Sequence, residues 1–259
     1  MQYICIGLHK NFVTRRVFLP DQAYKSIISL MYKLSPSDFA YLWQECRYCY
    51  YQKVKHNISH SGPFPAMFGR INGLLQTSIM GMNLQDVHPS LPSGIISVQE
   101  GFLRSKPIPG AEDCFVQGRF DILTRLTDGS YTVIDFKITT PDEEKIQKYA
   151  TQLHAYKFAL ENPHNGTEPR KISRMGVVSI NPDRMKLVDG KIVFTASPTW
   201  HPVAEDMESF YSLAKEISGV LNGPLPAPSV ECKLCIYRSH FPGQADTSDS
   251  SDPTSDLPF

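Results

Sequence analysis

No apolar run in the 259 residues is long enough to cross a bilayer. The first twenty, MQYICIGLHKNFVTRRVFLP, lack the order of charged, long apolar and cleavable small residues that a secretory leader needs. Both absences point to a cytoplasmic protein with no membrane partner. No internal repeat is present, so the expectation is one large domain with elaborations. Net charge is absent too, because 26 basic residues balance 26 acidic ones. That balance at first excludes a strongly basic nucleic-acid binder, but it is uneven. Gly243 to Phe259 holds four aspartates (Asp246, Asp249, Asp252, Asp256) and neither Lys nor Arg. The remainder then carries 26 basic against 22 acidic residues, a net of +4, which suits a phosphate-binding groove without proving one.

Cysteine is scarce but patterned. Of the six, Cys5 and Cys114 read as buried small hydrophobes with a structural role. The other four form two Cys-x-x-Cys pairs, in ECRYCYYQ (45–52) and ECKLCIYRSH (231–240). In a reducing compartment a disulfide framework is not expected, and distant paired thiols point to a metal centre. Cys46, Cys49, Cys232 and Cys235 can bind Zn²⁺ or ligate a cubane iron–sulfur cluster. Either would staple the two ends of the chain together across more than 180 residues and add folding energy.

Between the pairs the pattern is α/β. Ser35 as N-cap, Pro36 at the first helical position and Asp38 as a box-like start predict a helix. Its apolar face would be Phe39, Leu42, Trp43, Cys46 and Tyr50. A short helix is expected over 66–80. Strands are expected over 115–126 and 131–138, joined by TDGS, whose Asp128-Gly129 is a hairpin signal. Residues 142–161 have helical period, 171–180 and 191–196 read as strands, and 203–221 as an amphipathic helix ended by Asn222-Gly223.

The strand YTVIDFKITT (131–140) carries an acid and a lysine where a buried strand should carry neither. An unpaired buried charge costs several kcal/mol, so something must compensate it. Asp121 on the preceding strand would face Asp135 across the hairpin. Two converging carboxylates repel unless a divalent cation lies between them, and Mg²⁺ favours one or two carboxylates plus waters and phosphate oxygens. Lys137, on the face of Asp135, would then hold the attacking water or neutralise charge on a phosphate. Gln152 and Tyr156, an i,i+4 pair on the following helix, would orient the lysine or touch the nucleic-acid backbone. The plainer alternative is a salt bridge on a solvated sheet face, beside ordinary residues of an amphipathic helix.

The ordered set GRFD, VIDFK and QLHAY resembles the PD-(D/E)XK nuclease superfamily, in its RecB-like branch. That branch includes CRISPR-associated adaptation nucleases and the AddB nuclease domain. The resemblance covers roughly 35–240, with Gly118 to Asp121, Asp135-Phe136-Lys137 and Gln152 to Tyr156 in the family's order. It implies a restriction-endonuclease-like mixed central sheet flanked by helices. The division would be an N-terminal extension over 1–34, a nuclease-like domain over 35–242 and a disordered acidic tail over 243–259. It further implies Mg²⁺- or Mn²⁺-dependent hydrolysis of DNA, single-stranded or at ends, in recombination, repair or replication. Asp121, Asp135 and the Phe136 carbonyl would hold that cation, with Lys137, Gln152 and Tyr156 completing the catalytic group.

Two departures stand out. The family's upstream His or Glu has no clean match, since His88 is loop-like, Glu100 precedes the hairpin, and Asn72 and Gln76 are not acidic. A site short of one carboxylate would imply weak catalysis, or a DNA-binding scaffold of the same fold that does not cut. The family's cluster also uses one cysteine before the core and three after it, whereas here the split is two and two. The tip Asp256-Leu257-Pro258-Phe259 is similar to that of bacterial single-stranded-DNA-binding proteins. That likeness implies docking on a replication or repair partner, and an acidic tail can equally occupy the chain's own groove.

Overall fold

The computed structural model describes residues 31–59, 66–140, 142–164 and 166–240. Cys5, the N-terminal extension and the acidic tail with its Leu-Pro-Phe tip lie outside the described residues. A six-stranded mixed sheet forms the centre: β1 (Tyr32–Leu34), β2 (Ile95–Ile108), β3 (Ala111–Arg125), β4 (Tyr131–Ile138), β5 (Ile172–Val188) and β6 (Lys191–Pro202). β2, β3 and β4 are an antiparallel meander, β4 and β5 are parallel, and β6 returns antiparallel to β5. β1 joins β3 in parallel over Cys114–Val116.

Helices cover both faces. α1 (Pro36–Ala40), α2 (Leu42–Glu45) and α3 (Arg47–His56) precede the meander, as do α4 (Ala66–Ile79) and α5 (Leu84–Val87). α6 (Glu143–Glu161) makes the crossover from β4 to β5, and α7 (Met207–Asn222) and α8 (Lys233–Ser239) close the chain. Alternation along β4 decides which helices lie where. Val133 packs in the core with Tyr149, Leu153 and Tyr156 of α6. Ile134 and Phe136 pack with Ile79 of α4 and Leu84 of α5 on the other face. No described helix is long and apolar enough to cross a membrane.

The Asp128-Gly129 turn forms as its residues dictate. Gly129 takes φ 83°, and Asp128 accepts hydrogen bonds from the Ser130 amide at 2.9 Å and hydroxyl at 2.6 Å.

Four expectations need correction. The helix expected from Ser35 to Tyr50 is three short helices, because Tyr41 and Cys46 leave helical geometry (Cys46 φ −162°, ψ 109°). Cys46 is extended so that its sulfur accepts from the Cys49 amide at 3.4 Å and starts α3. Asp38 does not cap, and its carboxylate instead accepts from Lys53 at 2.6 Å. β5 and β6 run well past the expected ends, and α7 starts later than expected, at Met207, where Asp206 caps the Ser209 amide at 3.0 Å. β2 was not legible at all. Gly101, Pro107 and a left-handed Glu100 (φ 45°) interrupt its alternation.

Candidate active site and cysteine cluster

β3 and β4 pair only from Ile122↔Ile134 to Arg125↔Tyr131, and beyond that point the strands splay. Asp121 sits at the opening. Its Oδ2 accepts the Phe136 amide at 2.8 Å, so a side chain satisfies the backbone donor that the ladder has released. Gly118 lies in the stretch of β3 that pairs with β2 but not with β4, where an added Cβ would stand 2.9 Å from Cδ of Pro36. α1 rests on that bare position.

Asp135 is 1% exposed, between Phe136 and the α6 face. Lys137 Nζ lies 2.7 Å from its Oδ2, and Gln152 Nε2 donates to its Oδ1 at 3.1 Å and to the Tyr156 hydroxyl oxygen at 2.6 Å. Lys137 also stands over the Tyr149 ring, 5.0 Å from its centroid. The structure therefore gathers Asp121, Asp135, Lys137, Gln152 and Tyr156 into one cluster. Lys137 and Asp135 do form a salt bridge, but not on a solvated face, because Asp135, Gln152 and Tyr156 are all buried.

Two carboxyl groups and one lysine set the electrostatics of the cluster. Burial first, and the Asp135 carboxylate second, raise Asp121 from 3.8 to about 7, against the opposing pull of Lys137 and the Phe136 amide. Burial alone would lower Lys137, but the Asp135 and Asp121 carboxylates hold it above its ordinary value. Tyr156 is raised by burial and then by Asp135, so it stays a neutral phenol. Gln152 Oε1 is buried with no hydrogen-bond partner. Paired carboxylates, an orphan amide oxygen and one lysine fit a divalent cation with an open coordination side. Tyr149 was legible only as a core residue, because its contact with Lys137 depends on how α6 lies on the sheet.

The upstream helix α4 contributes no acid. Gln76 is fully buried with neither amide atom hydrogen-bonded, and Asn72 Oδ1 is likewise unpartnered.

The second cluster lies where α2 meets α3 and α8 begins. Cys46 and Cys235 sulfurs are 3.6 Å apart, Cys49 and Cys235 3.6 Å, and Cys49 and Cys232 3.8 Å. All four are free thiols, and all four sulfurs lie within 4.8 Å of one another. Four thiolates around Zn²⁺ at about 2.3 Å make a tetrahedron with an edge of about 3.8 Å. Cys114, by contrast, is buried at 0% exposure in the main core.

A search of the curated proteins finds no match. Among solved structures, the chain is similar to that of SSO0001, at 14% sequence identity over 84% of this chain and 95% of that one, with a TM-score of 0.42. Residues 77–240 match the description of one protein family, and these carry the meander, the crossover helix, both strands beyond it and the second cysteine pair. That match spans more than half of the sequence, and on it the chain belongs to the PD-(D/E)XK nuclease superfamily.

Proposed function

We propose that the chain is a Mg²⁺- or Mn²⁺-dependent deoxyribonuclease of the RecB-like branch, acting on single strands or ends in recombination, repair or replication. The observation that carries this reading is the group of buried Asp135 with half-buried Asp121 and Lys137 at the splayed end of β3 and β4. A bound cation would supply Lewis-acid charge at the scissile phosphate and lower the pKa of a coordinated water. Asp121, Asp135 and the Phe136 carbonyl would hold it. Lys137 would position the attacking water and offset charge developing on the phosphate. Gln152 fixes the Asp135 carboxylate from behind, and Tyr156 fixes Gln152.

The test uses the full chain, labelled single- and double-stranded DNA and Mn²⁺, beside Lys137→Ala. Cutting by the wild type and at least a hundredfold less by the variant is expected, on the order of a lost general acid–base or electrostatic group. Equal cutting by both, or by neither, refutes catalysis. The reading of a binding scaffold that does not cut has α4 in its favour, since Asn72 and Gln76 stand where a carboxylate would be expected. Binding of DNA with no cleavage and no response to divalent cation would establish it.

At the cysteines we assign Zn²⁺ rather than an iron–sulfur cluster. In a cubane each thiolate sits on a different iron and the sulfurs spread apart, whereas sulfurs 3.6–3.8 Å apart suit one shared ion. Anaerobically purified protein should be colourless with one zinc per chain, and a broad visible absorbance with bound iron would overturn the assignment. The nuclease-like domain over 35–242 and docking of the Asp256-Leu257-Pro258-Phe259 tip on a replication or repair protein complete the proposal.

A further inference from the structure

We infer that Glu100, on β2, is a third carboxylate of the nuclease site and takes over the hold on the divalent cation that α4 does not offer. The inference rests on the nuclease reading above. Register places the residue: Gln99 pairs with Ile122 and Gly101 with Phe120, so Glu100 stands opposite Asp121. Cross-strand partners hold their Cβ atoms roughly 5 Å apart, close enough for both carboxylates to reach one ion.

Two neighbours show that this corner belongs to the site. Gln99 Nε2 donates to Thr77 Oγ1 of α4 at 3.2 Å, so α4, which carries no acid, borders the same stretch of β2. Across β3, the buried Gln152 Oε1 has no partner although its amide nitrogen is bonded to Asp135. An orphan acceptor beside converging carboxylates calls for a cation or a cation-bound water. Glu100 also adds to the charge that raises Asp121, after burial and Asp135.

The local backbone is held in an unusual form. Glu100 has φ 45°, a region where Asn and Gly are at ease and Glu is not. Next to it the Phe120 ring lies against Gly101, filling the space any Cβ would need. Glu100 is exposed, so without a cation its charge stays in water and costs the fold little. With a cation bound, it would add a third carboxylate to Asp121 and Asp135. A residue that strains the backbone and serves no buried contact is the kind retained for a ligand.

The experiment is Mn²⁺ titration of the full chain by calorimetry without DNA, a hard ion that the four thiolates do not favour. Glu100→Asn should weaken Mn²⁺ binding by about tenfold or more. It should also raise the melting temperature in the absence of divalent cation, because Asn tolerates φ 45° and no longer repels Asp121. Glu100→Asp, which keeps the charge, should retain part of the affinity. Wild-type binding that is lost in Asp135→Asn but kept within about twofold in Glu100→Asn overturns this assignment alone. A wild type that binds no Mn²⁺ overturns the nuclease reading and this inference with it.

Discussion

Asp121 should make the metal-free protein less stable as the solution approaches neutrality. Its ordinary value is 3.8, and burial with the Asp135 charge raises it to about 7. Between those values the folded chain keeps a proton that the unfolded chain has released. The contribution is present in acid and is lost as pH rises through about 7. Roughly three pH units at about 1.4 kcal/mol each set an upper limit near 4 kcal/mol. Asp121 is only half-buried, and solvent screening discounts this to about 2 kcal/mol, or roughly 4–8 °C in melting temperature for a chain of this size. The assay compares thermal melts of wild type and Asp121→Asn from about pH 5 to about pH 8, with no added divalent cation. No chelator is used, so that an ion held by the four cysteines is not stripped. The difference, wild type minus variant, should fall with pH. Added Mg²⁺ should reverse the slope, since binding must expel that proton, with affinity rising about tenfold per pH unit up to about 7. A difference that is flat or rises with pH in the metal-free state would refute the electrostatic account of the site.

The remaining predictions test the frame around it. Cys235→Ser should lose the bound metal and several kcal/mol of stability, read as zinc content and melting temperature; a variant that retains one zinc and melts like the wild type removes the staple from the account. Gly176→Ala places a methyl against the Trp200 ring and the His201 carbonyl where β5 pairs with β6. It should cost about 1–3 kcal/mol by overpacking, read by denaturant unfolding, and an unchanged midpoint would contradict that contact.

The parts of this fold that were legible in the sequence are those set by local rules. β4 forms over 131–138 as its β-branched and aromatic run predicts, and α6 over 143–161 as its period predicts. The Asp-Gly turn needs nothing beyond its own residues. What stayed hidden depends on partners. β2 has Gly101 because Phe120 lies on it from the next strand, and that contact exists only once the meander is folded. The break at Cys46 goes with a sulfur that meets Cys235 from the far end of the chain. Asp121 and Lys137 could be named from their motif. That Asp121 also accepts the Phe136 amide could not, because the splay of β3 from β4 is a tertiary event.

The cysteine cluster and the nuclease site share a wall. α1, α2 and α3 are four to ten residues long, too short to persist alone, so their positions come from what holds their ends. Cys46 and Cys49 fix α3 to α8 at one end. Arg47 reinforces it, lying over Trp43 at 4.6 Å and bonding Glu216 of α7 at 2.5 Å. At the other end α1 rests on Gly118, and Tyr41, between α1 and α2, meets Tyr149 edge-on at 6.1 Å. Tyr149 is the ring over which Lys137 stands. A metal at the four thiols would therefore act on the site through a short path, from Cys46 through α2 and Tyr41 to Tyr149 and Lys137. Losing it would loosen the segment that packs Tyr149, and because Tyr149 shares one core with Leu123, Val133, Leu153 and Val177, the sheet would feel the loss too. A metal there would thus fix where Lys137 points, with its stabilising effect a consequence of the same constraint.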